Sequence, residues 1–489
     1  MWIAAAAVVA ILVAFSARYG FHRDELYFIE CGRHLAWGYV DQPWFTPAVA
    51  RLATALFGGS LVGLRLFPSL AAGATVVLAG MLARELGGGG SAQRLAAVGT
   101  AAAPGMIGAA HIHGPTIYDF VAWAAIALVL ARVVRTGDRR LWLVLGAVVG
   151  IGSANKHSVA FLALALAVGL VMTGDGRRLL DPWVAGGAVI ALLIAAPEVV
   201  WQAHHGWATI HMTRRLNEKN GGLGRAPLFV VAQLSIAATV MLPVWWRGLG
   251  WLRRDPSARP WRAFVWAYGL LFAFFALTAG NKPYYLAPLY TVLVAAGAVV
   301  VERNLRDDRW SVRRWITVTV VVGALGSPIV LPMLPASAMG WVHGINPTQA
   351  EMVGWPEFTR GVATAWAGLT PAEREHAVIF TASYGEAGAV NRFGPRLGLP
   401  RAVSGHNNYW YWGPGDPTAT TVVAIAPGPG FGDRYAAYLR TLFREVTPVA
   451  TLTNREGLDN EESGGHIFVC RRPVRPWGEL WRTRVQHYD

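Results

Sequence analysis

Apolar residues fill the first two thirds of the chain in long runs separated by short polar segments, and the pattern changes near Ser337. Crossing a hydrocarbon core takes about 20 mostly apolar residues. Runs of this kind centre near Val8, Val76, Ala102, Ala125, Gly146, Ala165, Val189, Ala237, Phe272, Val294 and Val321. They predict an α-helical polytopic membrane protein with about eleven transmembrane helices. Stretches such as "LAAGATVVLAGMLA" and "LAAVGTAAAPGMIGAA" are rich in Ala and Gly, so these helices are expected to approach their neighbours closely. Beyond 337 the pattern is that of a soluble α/β domain. "HAVIFTAS" and "TTVVAIA" read as buried strands, "GEAGAVNRFGPRLG" and "DRYAAYLRTLFREV" as helices, and "EVTPVATLT" and "HIFVCRR" as further strands. The predicted organisation is a transmembrane domain over 1–336, whose first extracytoplasmic loop spans 20–60, and a soluble extracytoplasmic domain over 337–489.

Composition supports that class: of 489 residues, 54% are hydrophobic and 15% charged, too few charges for an ordinary soluble protein. The net charge of +14 raises nucleic acid as a partner. The arginines, however, fall in short clusters between apolar runs, without the interleaved aromatics of a base-binding stripe. The clusters at Arg84 and Arg94, Arg132 to Arg140, Arg177 and Arg178, Arg247 to Arg262 and Arg303 to Arg314 occupy alternate loops, which makes those loops cytoplasmic. No Lys or Arg precedes the first apolar run, so a retained helix is expected there rather than a signal peptide. Cys31 and Cys470 are the only cysteines. One bridge between them is the most the count allows, and no thiolate metal site can be built.

The opposite loops hold the candidate chemistry. "FHRDELYFIECGRHLAWGYVDQPWFTP" presents Asp24 and Glu25 where the first span ends. A carboxylate at a membrane boundary, screened by Trp and Tyr, can act as a general base toward a hydroxyl. The same residues also read as exposed acids at a helix start. Asp119 in "HIHGPTIYDF" lies inside a span, where a carboxylate is costly and marks function by default. His111 and His113, two apart, face different sides of a helix and read as interfacial histidines before they read as a metal pair. Lys156 in "SANKHS", Arg214 and Arg215 in "HHGWATIHMTRRLNEKN" and Lys282 in "GNKPYYLAPLY" bring cations to the same face. Each could snorkel to lipid headgroups. Together with the acids they describe an anionic leaving group, such as a lipid phosphate, held by cations with a base nearby.

These residues resemble the polytopic GT-C glycosyltransferases that use polyprenyl-phosphate sugars, within them family 39, the protein O-mannosyltransferases and the lipid A aminoarabinose transferases. The resemblance runs through "RDELYFIECGRHLAWGYVDQPWFTPAVARLATALFG", "HGPTIYDF", "GIGSANKHSVAF", "PEVVWQAHHGW" and "NKPYYLAPLY", and more loosely through "GWPEF" and "YGEAGAVNRFG…GLPRAVSGHNNYWYWG". It implies an inverting sugar transfer on the extracytoplasmic face. Asp24 would activate the acceptor hydroxyl with Glu25 beside it, and Asp119 would orient donor or acceptor. Lys156, Arg214, Arg215, Lys282 and Tyr285 would lie near the donor phosphate. The loop turn Asp41-Gln42-Pro43 departs from the acid-Lys-Pro of the aminoarabinose transferases, whose Lys meets the phosphate, because Gln42 brings a hydrogen bond and no charge. Metal use varies within the group, and Asp24 with Asp119 offers oxygens that suit a divalent cation, so the metal stays open.

The expected partners are a polyprenyl-phosphate sugar donor, membrane lipids, and an acceptor that is a lipid, glycan, protein or metabolite. The alternative is a secondary transporter or lipid flippase, for which ionisable residues near mid-span and two matching halves would be expected. Acids gathered at one face, followed by a sizeable extramembrane domain, argue against it. In the latter domain "SGHNNYWYWGPGD" offers either aromatics for carbohydrate or a cluster packed under a domain face. "GPGFGD" lacks the third glycine of a dinucleotide fingerprint and reads as a turn.

Overall fold

A computed structural model of the protein describes residues 1–488 apart from 221–223, 225, 237, 238, 279–281, 305–308, 427, 429, 431, 454, 455, 459 and 461. The chain forms two compact units, one of Met1–Ser16 with Ala36–Leu331, the other of Ala17–Leu35 with Pro332–Asp489. Part of the loop expected to belong with the membrane helices is thus grouped with the C-terminal residues.

The first unit is helical. Leu61–Glu85, Pro115–Thr136 and Pro182–His204 are long and apolar enough to cross a membrane. Trp2–Phe15, Leu141–Ser153, Ser158–Met172 and Ala263–Thr278, also predicted as spans, are apolar but only 13 to 16 residues long. At 1.5 Å per residue that is roughly 20–24 Å, less than a full hydrocarbon core. The run centred on Ala102 is two helices, Gly90–Ala101 and Pro104–His111. Pro104 cannot donate a backbone hydrogen bond and holds Ala103 extended, at φ −71° and ψ 118°, which divides the run. The predicted centre at Ala237 lies outside the described residues. Only 11% of the apolar window of Pro182–His204 is buried, and Leu192, Leu193, Val199 and Val200 face outward. Such a surface is stable against lipid, and the chain is a membrane protein.

Small residues set the helix spacing, as their abundance predicts. A Cβ on Gly146 would stand 2.1 Å from the Gly187 carbonyl oxygen, and one on Gly297 would stand 2.0 Å from that of Val244. Two helix pairs therefore pack backbone to backbone. Alternate helix ends are tied separately. At one end Arg135 pairs with Glu85 at 2.7 Å, Arg139 with Asp181 at 2.5 Å, and Glu302 accepts from the amides of Gly89, Ser91 and Ala92. The other end carries the polar cluster described below.

The second unit holds a five-stranded sheet of β1 (Ala377–Thr381), β2 (Ala402–Ser404), β3 (Thr421–Ile425), β4 (Phe443–Thr451) and β5 (His466–Pro473) in the order β2-β1-β3-β5-β4. β2, β1 and β3 are parallel, and β5 runs antiparallel to β3 and β4. Four of these strands are the ones predicted. β2 has three residues, too few to show a period. Edge strand β4 carries Pro448 at a register break, which blunts its open side.

Helix Arg23–Arg33 belongs to this unit because it buries Leu26, Tyr27, Phe28 and Ile29. It packs on helix Tyr384–Phe393 through two glycines. A Cβ on Gly385 would lie 2.7 Å from Arg23 Cβ, and one on Gly388 2.8 Å from Leu26 Cβ. Cys31 and Cys470 are both buried as free thiols, so no bridge joins them.

Candidate active site

Polar residues of motif character gather in two clusters, one in each unit. In the first unit the turn between helices Leu141–Ser153 and Ser158–Met172 is the centre. Its Asn155 is buried, accepts from Thr46 Oγ1 at 2.8 Å and donates to the Pro115 carbonyl at 2.8 Å. The Phe45 amide donates to the Ala154 carbonyl. His113 joins the same knot by donating from Nε2 to the Thr46 carbonyl at 3.1 Å and accepting the Tyr118 hydroxyl at Nδ1 at 3.2 Å. Both ring nitrogens of His113 thus meet protein groups at hydrogen-bond distance. His111 in turn meets the buried Arg65 at 3.3 Å.

Tying these loops together brings Lys156 and Ser158 onto Asp119. Asp119 is fully buried in the first turns of Pro115–Thr136, and Ser158 Oγ lies 2.9 and 2.8 Å from its two oxygens. Lys156 Nζ stands 3.6 Å from Oδ2. It also lies 4.5 Å above the Tyr285 ring and 5.5 Å above that of Tyr284, while Lys282 Nζ is 5.8 Å above Tyr285. Thus Asp119, Lys156, Lys282 and Tyr285 form one cluster: an acid, two cations and an aromatic face. Next to Lys156, His157 reaches Glu198 at 3.3 Å.

The turn of Asp41, Gln42 and Pro43 folds against the end of helix Pro182–His204. The Tyr39 amide donates to the Gln42 carbonyl at 2.9 Å, Gln202 Nε2 donates to the Tyr39 carbonyl at 2.9 Å, and a Cβ on Gly38 would strike the Trp201 ring at 2.9 Å. The Gln42 side chain is buried, and neither amide atom has a hydrogen-bond partner among the described residues. Arg214 and Arg215 stand exposed on helix Ala208–Asn220, without an ion pair among the described residues. They are not brought to Asp119 as Lys156 is.

The second unit holds the two acids named first. His22 caps helix Arg23–Arg33, its Nδ1 accepting the Asp24 amide at 3.2 Å, and Glu25 closes the capping box by accepting the His22 amide at 2.8 Å. Glu25 is fully buried in this role. Asp24 keeps 37% of its side chain exposed, and its Oδ1 accepts the Tyr384 hydroxyl at 2.8 Å. Arg23 Nε lies 3.2 Å from Glu351 and 3.8 Å from Asp24, and His22 Nε2 lies 3.2 Å from Glu351. Burial opposes the charged imidazole of His22, but Glu351 and Asp24 outweigh it and raise its pKa. Burial pushes Glu386 up to about 7, and burial with the neighbouring Glu386 pushes Glu462 up to about 8. Glu30, by contrast, is consumed in structure by Arg33, Arg401 and Asn391.

The aromatic run is also mostly structural. Tyr409 is buried, and the indoles of Trp410 and Trp481 each donate to the other's carbonyl. Among the described residues no group of three His, Cys, Asp or Glu is placed to hold a metal ion.

Residues 41–201 match the family described as dolichyl-phosphate-mannose-protein mannosyltransferase, a segment that contains the Asp41–Pro43 turn, Asp119 and Lys156 and begins after Asp24. No curated protein matches the chain in sequence. Among solved structures, the crystal structure of ArnT from Cupriavidus metallidurans bound to undecaprenyl phosphate aligns with 96% of this chain and 97% of its own, at TM-score 0.63 and 16% identity. The apo state of that protein aligns over the same shares at 0.62 and 17%. The chain has the ArnT fold. The archaeal oligosaccharyltransferase AglB from Archaeoglobus fulgidus, in complex with an inhibitory peptide and a dolichol-phosphate, aligns at 0.47 and 12% identity over 86% of this chain and 69% of its own. Family match and ArnT fold agree in supporting the GT-C glycosyltransferase resemblance.

Sequence reading missed Tyr384, Asn155, Ser158, His22 and Arg23. Ser158 and Asn155 stood within a quoted motif, and a small polar residue flanking a lysine was a usable signal. Tyr384 opens the quoted "YGEAGAVNRFG", but nothing in that motif pointed to its partner 360 residues away.

Proposed function

We propose that this chain is an integral membrane glycosyltransferase that moves a sugar, with inversion, from a polyprenyl-phosphate donor to an acceptor hydroxyl on the extracytoplasmic face. The observation that carries the reading is the Asp119, Lys156, Ser158 and Tyr285 cluster in a chain of ArnT fold, whose crystallised counterpart holds undecaprenyl phosphate. Lys156 and Lys282 supply positive charge for the donor phosphate, and Asp119 with Ser158 fixes where Lys156 stands. Lys156 thereby takes the electrostatic role that the neutral Gln42 cannot, while the unsatisfied Gln42 amide offers a hydrogen bond to sugar or phosphate.

Asp24 acts as the base. The acceptor oxygen attacks C1 of the sugar as its proton passes to Asp24, the bond from C1 to the phosphate oxygen breaks, and the electron pair leaves with polyprenyl phosphate. Glu25 supports Asp24 by holding the helix start. Arg214 and Arg215 stand in reserve as surface cations for lipid headgroups. The acids and Lys156 already hold hydrogen-bond or ionic partners, so a divalent cation is not built into this scheme.

The test is sugar transfer from a panel of synthetic polyprenyl-phosphate sugars in washed membranes, wild type against Asp24→Asn. The variant is near-isosteric and should fold, but it cannot take the proton, and turnover should fall by about a hundredfold or more. Turnover within a few-fold of wild type would move the base elsewhere, with Asp119 next in line.

A further inference from the structure

The α/β unit contributes a side chain to the candidate base itself. We propose that Tyr384 is a positioning residue for Asp24, so that this unit takes part in the transfer step as well as in folding; the inference rests on the reading of Asp24 as the base. The Tyr384 hydroxyl donates to Asp24 Oδ1 at 2.8 Å. Tyr384 opens helix Tyr384–Phe393 between Ser383 and Glu386, the two members of its capping box, which fixes where its side chain leaves the backbone.

The ring is held on both sides. It stacks on Tyr27 at 4.5 Å between centroids and lies 4.6 Å from His406, which stacks on His487 at 4.8 Å. His487 in turn donates from Nε2 to the Ala382 carbonyl at 3.1 Å. The Gly385 contact with Arg23 sets the close separation of the two helices, which puts the hydroxyl within reach of Asp24.

A hydroxyl bound to one carboxylate oxygen fixes the plane of the group and favours its charged form. The charged and titratable groups around Asp24 and its neighbour Arg23 are His22 and Glu25 on the same segment, Glu351 from the 347–352 turn, Glu386 beside Tyr384, and Glu462 from the loop before β5. Tyr384 brings a donor to this acid-rich surrounding without adding charge. That lets Asp24 stay ionised and aligned until it receives the acceptor proton.

Two measurements on Tyr384→Phe in the full-length protein test this, since the substitution keeps the ring and its stacking. With the donor active in the panel above, kcat should fall about ten- to a hundredfold while the donor KM stays within about twofold, and the acid limb of the pH profile should move to higher pH. Carbodiimide labelling of Asp24, read by mass spectrometry between about pH 4 and 7, should show the same upward displacement with no substrate present. A wild-type labelling profile overturns the proposal, whether or not the variant is less stable, as does a loss confined to KM. If labelling shifts but Asp24→Asn still turns over, the hydrogen bond stands and the base reading is what has failed, taking the positioning role with it.

Discussion

The two polar clusters differ in charge balance, and the difference decides what each can do. Around Asp119, one buried acid meets one lysine and one serine hydroxyl, with a second lysine across the Tyr285 ring. Around Asp24, acids outnumber cations: Glu25, Glu351, Glu386 and Glu462 share Arg23 and His22. A balanced pair out of water holds its partners in place and gives an incoming phosphate a fixed cation. Burial lifts the carboxyl pKa values of Glu386 and Glu462 toward neutrality, with the neighbouring Glu386 adding to the effect at Glu462, and carboxyls in that range suit proton transfer. On the proposed reading the first cluster supplies charge and the second handles the proton.

The largest effect should come from breaking the balance in the first cluster. Lys156→Met keeps the bulk but leaves Asp119 buried without its cation, which should cost about 3–5 kcal/mol of stability. Adding Asp119→Asn should recover much of that stability and none of the activity. Thermal unfolding of the single and double variants in detergent checks the first point, and donor transfer checks the second. Equal stability of the single variant and wild type would mean that the pair is already solvated.

A smaller effect is expected from pH on the second cluster. Glu386 and Glu462 have raised folded pKa values, so the native state holds more protons than the unfolded chain between about pH 4.5 and 8. The sign follows: stability is greatest at the acid end of that window and declines as pH rises through about 7 and 8. A raised His22 acts in the same direction. Melting temperatures at successive pH values should therefore fall toward pH 8, and Glu462→Gln should flatten the slope. A slope unchanged in that variant would show that Glu462 is ionised throughout.

The smallest effect is expected at Arg214 and Arg215. Both are exposed, so Arg214→Ala and Arg215→Ala should change donor KM by no more than about twofold. A tenfold rise in KM for either would bring the 208–220 helix into the donor site and upset the assignment of phosphate charge to Lys156 and Lys282.

Hydropathy alone gave the membrane class, since a long apolar run has few stable settings outside lipid, and strand-like runs gave four of the five strands of the α/β unit. It did not give helix lengths: whether 14 apolar residues continue as helix depends on caps and prolines such as Pro104, and on neighbours the run does not name. Motif residues were also readable as chemistry. Asp119 stood out because an acid in an apolar run is expensive, and Lys156 and Lys282 because each sits at the end of one.

Their roles were not readable one by one. Glu25, Glu30 and Asp24 lie within seven positions and look alike in sequence, yet one is a helix cap, one is an ion-pair partner and one keeps a partly exposed oxygen pair.

What the sequence by itself determined is which residues are costly to bury and where along the chain they occur, because transfer free energy is a property of each side chain. Only the tertiary structure decided which of them share partners. Lys156 found Asp119, and Tyr384 found Asp24, through packing of glycines and helix ends that are distant in the chain, and hydrogen bonding depends on separations in space that no local pattern encodes.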